Sequence, residues 1–138
     1  MLSIVLFLAF AQSAKLSDWL VYKSATMGFE IKYPSMWKIS VFDNNVKLST
    51  YHGRWLHSIG LPARPNPWID ISRVNNCKGI PESMDFRTGN IGLRTRYHGK
   101  TICRNNIVLD AGYWDSDKNQ KANKQILNKV IESFKILQ

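Results

Sequence analysis

The stretch from Gly28 to Trp37 (Gly-Phe-Glu-Ile-Lys-Tyr-Pro-Ser-Met-Trp) constrains this chain most, because apolar and polar residues alternate strictly until a proline interrupts them. Phe29, Ile31 and Tyr33 fall on one face of a period-2 strand and Glu30 and Lys32 on the other, the pattern of a half-buried β-strand. Pro34 has no N–H to donate and ends the ladder. Ser35 can start a turn, and Trp37 brings an apolar body large enough to fold back over the strand's inner face.

Similar patterns recur downstream. Leu20-Val21-Tyr22 reads as a first strand or a helical turn. Lys38 to Phe42 and Val46 to Tyr51 are separated by Asp43-Asn44-Asn45, a turn composition, and predict a hairpin in which Trp37, Ile39 and Val41 face Val46, Leu48 and Thr50. Trp68 to Val74 has strand character, and Ile91 to Tyr97 alternates with Ile91, Leu93, Thr95 and Tyr97 on a dry side and Arg94 and Arg96 on a cationic one. His98-Gly99-Lys100 then predicts a hairpin connection to Thr101 to Arg104, and Ile107-Val108-Leu109 a central strand. Ile80 to Phe86 reads as a short helix with Pro81 in its first turn. The C-terminal segment carries Ile126, Leu127, Val130, Ile131 and Phe134 in one stripe, with Ser116 as N-cap and Asp117 in the first turn. It predicts an amphipathic helix packed on the sheet, with Phe134 to Leu137 ending as a short strand or turn. The fold class expected is therefore α+β: an antiparallel sheet with helices packed on it, the C-terminal helix among them.

Leu2 to Ala11 is an apolar run of signal-peptide length, too short to span a bilayer as a helix of about 20 residues. Small residues at Ala11 and Ser13 predict cleavage before Ala14, with the bond after Ala14 as the alternative. Residues 1–13 are thus expected to be a removed signal, and 14–138 a single domain, not membrane-spanning in its mature form and periplasmic or secreted. Every charged side chain lies from Lys15 onward, so the mature chain keeps the formal charge of +9. Such a charge steers a protein toward anionic partners. An exported protein rarely meets nucleic acid, which leaves an acidic protein or an anionic envelope surface. Cys77 and Cys103 are the only cysteines, and in an oxidising compartment they predict one structural disulfide.

Between His52 and Pro67 the periodicity disappears among glycines and prolines. This segment carries His52, Arg54, Trp55, His57 and Arg64 and runs into Trp68, a mixture of cations and aromatics suited to a binding surface. With Arg94 and Arg96, the residues Arg54, Trp55, Arg64 and Trp68 are the expected binding set. No nucleophile elbow, zinc-protease, phosphate-loop or dinucleotide signature occurs, and nothing marks a carboxylate pair or a cofactor site. His52 and His57 could share a metal with Asp70 or His98, but without a third ligand at diagnostic spacing. The reading is a non-enzymatic exported interaction protein, one specific form being an immunity or inhibitor protein against a secreted toxin. The alternative is a small ligand- or metal-binding hydrolase using the His52/His57 loop.

Two places in the chain resemble one family. Met27 to Trp37 is similar to the GF-x-I-x-YP-x-x-W opening of the PsbP-like family of small exported domains, and Ile126 to Lys135 resembles that family's terminal helix followed by Ser-Phe. The resemblance implies an antiparallel sheet with helices on its faces. It implies no functional residue, since both motifs are fold positions and members differ widely in role.

Overall fold

The computed structural model describes residues 18–50, 66–82, 85–91, 95–114 and 120–137. They form two antiparallel sheets and one helix. Strands β1 (Trp19–Ser24), β2 (Phe29–Pro34) and β9 (Lys135–Ile136) make a small sheet in the order β1-β2-β9. Strands β3 (Lys38–Phe42), β4 (Asn45–Ser49), β5 (Trp68–Arg73), β6 (Arg87–Ile91), β7 (Thr95–Arg104) and β8 (Ile107–Trp114) make a larger one, ordered β3-β4-β5-β8-β7-β6. Helix α1 (Gln120–Ser133) packs against both β2 and β8, with Leu127, Val130 and Ile131 buried.

The expected α+β class with several packed helices is corrected: the fold is β-rich, with a single helix among the described residues. The reason is local. At Ile80 to Phe86 the described residues are coil; Ile80 N–H bonds back to the Cys77 carbonyl in a turn, and Phe86 leaves it to pack edge-on against Tyr113. A segment this short cannot offset the cost of helix nucleation while its ends are tied elsewhere.

The opening alternation survives as β2. Phe29 and Ile31 are fully buried and Tyr33 nearly so, and Trp37 folds into the same core. Phe29 sits between Tyr22 and Phe134, with ring centroids 5.9 and 5.7 Å apart. Pairing with β9 covers only Phe29 and Glu30. Beyond it Ser133, the last residue of α1, takes over: its Oγ accepts the Lys32 N–H at 2.8 Å and donates to the Val130 carbonyl at 2.6 Å. The helix is thereby fastened to the strand it roofs. Glu30, expected on the solvated face, is instead buried in a cross-strand row, with Lys135 Nζ at 2.8 Å and Lys23 Nζ at 3.6 Å. The Lys135 hydrogen bond is the main cause holding its carboxyl below the usual carboxylate range, against the opposing effect of burial.

Other expectations divide. Leu20-Val21-Tyr22 is strand, and the hairpin β3–β4 forms with Ile39 opposite Leu48 and Val41 opposite Val46, although Val41 remains 55% exposed at the sheet edge. The Ile91 to Tyr97 alternation is not one strand: Ile91 ends β6 and Thr95 begins β7, paired across from it. His98-Gly99-Lys100 is not a hairpin connection but the middle of β7, the longest strand. Helix α1 starts at Gln120 with no acid in its first turn. Ser116 and Asp117 lie outside the described residues, as does the expected signal segment. No helix among the described residues is long and apolar enough to cross a membrane.

Candidate functional site

Strand β8 sorts its side chains between two environments. Ile107, Leu109, Ala111 and Tyr113 join the core beneath α1, while Val108, Asp110, Gly112 and Trp114 belong to the opposite, outer face. Register assigns the neighbours. Gly99 of β7 lies opposite Gly112, Thr101 opposite Asp110 and Tyr97 opposite Trp114; on the other flank Trp68 of β5 lies opposite Gly112. In β6, Arg87 is opposite Gly99 and Gly89 opposite Tyr97. One row across the outer face therefore runs Arg87, Gly99, Gly112, Trp68.

Two rings pack on this face where glycine leaves room for them, Trp68 in this row and Tyr97 in the next. A Cβ on Gly112 would stand 2.6 Å from Trp68 Cζ2, and one on Gly89 would stand 2.4 Å from Tyr97 Cζ. The Tyr97 ring also reaches over Gly99, where the same construction gives 3.4 Å. Trp114 meets Tyr97 edge-on, centroids 5.8 Å apart, and its backbone N–H donates to Asn66 Oδ1 at 2.9 Å. The rings and the glycine floor between them enclose an open groove of about 290 Å³, which Arg87, Thr101, Asp110 and Pro81 also line.

The Cys77–Cys103 disulfide builds one wall. Its Cα atoms are 5.7 Å apart, and Cys103 is on the outer face of β7 opposite Val108. The bond lays the segment after β5 against the sheet, placing Pro81 at the groove; Val108 is buried outside the main core. Glu82 adds an ion pair with Arg104 at 3.7 Å.

Electrostatically the floor is mixed. Asp70 and Asp110 face each other across β5 and β8, an arrangement that like charges disfavour unless each is satisfied elsewhere. Here each is. Asn45 Nδ2 donates to Asp70 Oδ1, with Ser72 Oγ at 3.4 Å and Lys47 Nζ at 4.0 Å, while Thr101 Oγ1 donates to Asp110 Oδ1 at 2.7 Å. The donor directions point the two carboxylates toward opposite flanks, and among the described residues Asp110 keeps its second oxygen for an outside donor.

Of the binding residues expected from sequence, Trp68 is in the groove. Arg96 is exposed on β7, opposite Asn90 and on the other face from Tyr97, so it does not join the groove. Arg54, Trp55, Arg64 and Arg94 lie outside the described residues, together with His52 and His57. Cys77 and Cys103 are bonded as expected. His98 stacks on Tyr113 at 4.8 Å on the core side, so the sheet itself separates it from Asp70 and the two cannot share a metal. Among the described residues no group of three His, Cys, Asp or Glu side chains is placed to hold one.

Sequence reasoning missed Arg87, Tyr97, Asp110 and Trp114. A signal was present: Tyr97 and Gly99, and Gly112 and Trp114, are aromatic–glycine pairs two residues apart, the spacing that puts both on one strand face. Gly99 reads instead as a turn residue.

No family model matches the chain, and no curated protein matches it. A crystal structure of a protein from Bacteroides thetaiotaomicron VPI-5482 is similar in backbone at a TM-score of 0.46 and 13% identity, over 86% of this chain and 48% of that one. This chain thus spans about half the length of that protein, and a likeness at this level bears on neither fold nor function.

Proposed function

We propose that the chain is an exported, non-enzymatic binding protein that holds an anionic envelope component or an acidic protein on the outer face of its larger sheet. The observation that supports this most is the groove between Trp68 and Tyr97 with Arg87 at its edge, set in a chain of net charge +9. Concave, aromatic-lined surfaces with a few placed polar groups are where ligands settle, and a cationic surround raises the local concentration of anions. The disulfide supports an oxidising compartment, periplasmic or extracellular, and it stiffens the wall that the groove needs. An immunity protein against a secreted toxin is one specific form of this reading.

The test is co-sedimentation of the folded protein with envelope fractions at low and high salt. Binding that weakens with salt and is reduced by Trp68→Ala supports the proposal; a protein that stays in the supernatant with every fraction refutes it. Capture of a secreted toxin by the same protein would select the immunity form.

A further inference from the structure

Resting on that reading and deepening it, we infer that the outer-face groove takes one sugar ring of an acidic polysaccharide, a uronic-acid unit, stacked on the Trp68 and Tyr97 rings. Three observations converge on this class. The first is ring attitude. Both aromatics occupy the Cβ space of a glycine on the neighbouring strand, Gly112 for Trp68 and Gly89 for Tyr97. Each ring therefore covers backbone of the neighbouring strand that a side chain would otherwise hide, and it forms part of the groove lining. A pyranose has a face of C–H bonds that matches such a platform, with hydroxyls directed to its rim, so it needs an apolar floor bounded by polar groups. The second is size. The groove, about 290 Å³, stands at the lower end of the roughly 300–1,000 Å³ common for small-ligand sites, room for one ring with its neighbours in the chain continuing into solvent.

The third is the pattern of charge. Asp110, engaged on one oxygen by Thr101, accepts hydrogen bonds and repels anions, so the group facing it is a donor, a role that a sugar hydroxyl fills. Arg87 is exposed and has no ion-pair partner among the described residues. By register it stands two strands and two residues from Asp110, a Cα separation of roughly 12 Å by sheet spacing, which the long arginine stem shortens to the width of a sugar ring. Hydroxyls at one rim and a carboxylate at the other describe a uronic acid. An acidic peptide would meet Asp110 unfavourably and make no use of the flat rings. A neutral sugar would use the rings but leave Arg87 unengaged.

The experiment is tryptophan fluorescence and calorimetric titration of the intact disulfide-bonded protein with three probes: a uronic-acid oligosaccharide, a neutral hexose oligosaccharide and polyglutamate, at low and high salt. The uronate should bind, shift the fluorescence and lose at least tenfold in affinity in Tyr97→Ala. Arg87→Ala, at an exposed edge-strand position that leaves the core intact, should weaken the uronate by about tenfold and leave the neutral sugar unchanged. Equal affinity for uronate and neutral sugar in the wild type would overturn the acidic assignment. Binding of polyglutamate alone, indifferent to Tyr97→Ala, would overturn the sugar inference while sparing the anionic-partner reading. Binding of none of the three would overturn the inference here, and salt-sensitive envelope binding in the preceding experiment would show that the broader reading still stood.

Discussion

Alanine at each of the three groove glycines tests whether the rings lie where they are placed, because the three positions differ in what a methyl group would strike. On Gly112 a Cβ would stand 2.6 Å from Trp68 Cζ2 and 2.9 Å from the His98 carbonyl oxygen. The indole can tilt away, but that carbonyl belongs to the β7 backbone and cannot move without spreading the β7–β8 ladder. Overpacking of this kind costs about 1–3 kcal/mol, offset by about 0.5–1 kcal/mol because alanine loses less backbone freedom than glycine on folding. Gly112→Ala is therefore expected to destabilise by roughly 1–2 kcal/mol net, from the same two contributions. On Gly89 the clashes, 2.4 to 2.6 Å, are all with the far end of the Tyr97 side chain. That ring can rotate off the floor, so Gly89→Ala should leave stability within about 0.5 kcal/mol of wild type but remove the platform, as a surface change away from the core would. On Gly99 the nearest atom is 3.4 Å away, close to an ordinary contact, and alanine should be neutral or stabilising by up to about 1 kcal/mol. Urea denaturation gives the stability order, and near-ultraviolet circular dichroism reports the Tyr97 environment in Gly89→Ala. If Gly112→Ala proved as stable as Gly99→Ala, the β7 backbone would not approach Gly112 as closely as described, and the packing beneath Trp68 would have to be redrawn.

Three further outcomes follow from the packing. Leu127→Ala, at a fully buried position of α1 between the two sheets, should cost about 2–5 kcal/mol in urea unfolding; a loss below 1 kcal/mol would mean the helix does not roof the core. Breaking the Cys77–Cys103 bond, which closes a span of 26 residues, should cost about 3.5 kcal/mol on the chain-entropy estimate, read as the difference between oxidised and reduced protein or by the double serine variant. Glu30 has its carboxyl held low by Lys135 in the folded state, so its contribution is complete above the ordinary carboxylate range and disappears as pH falls through the lowered value. Glu30→Gln should therefore flatten the acid limb of a plot of melting temperature against pH; an unchanged limb would mean that the Lys23–Glu30–Lys135 row contributes nothing.

What the sequence disclosed depended on how far each signal reached along the chain. Phe29, Ile31 and Tyr33 were legible because a half-buried strand writes its burial into its own alternation, and the helix stripe from Ile126 to Ile131 was legible for the same reason at the helical period. Glu30 was not, because its burial is set by lysines on two other strands, one of them 105 positions further along the chain. Helix content was overestimated at Ile80 to Phe86, whose described residues are held by a turn back to the bridged Cys77 and by Phe86 against Tyr113, contacts that no local pattern announces. The groove was the least legible feature. Gly99 reads locally as a turn residue and Gly89 and Gly112 carry no local signal, so their purpose appears only when register sets an aromatic on the adjacent strand beside them. Trp68 was identified by residue type alone; Tyr97, Trp114 and Asp110 needed the pairing of β5, β7 and β8.

Proton NMR of the glycine residues tests the central claim most directly. In Gly89 and Gly112 one Hα occupies the direction that a Cβ would take, toward the rings of Tyr97 and Trp68 respectively, whereas Gly79 has no heavy atom within 4 Å of that direction. Ring currents should displace those two Hα resonances well away from the Gly79 pair, and Trp68→Ala should return Gly112 alone. Finding all three glycines at ordinary positions would show that no rings lie on the sheet, and the binding surface proposed on them would go with it.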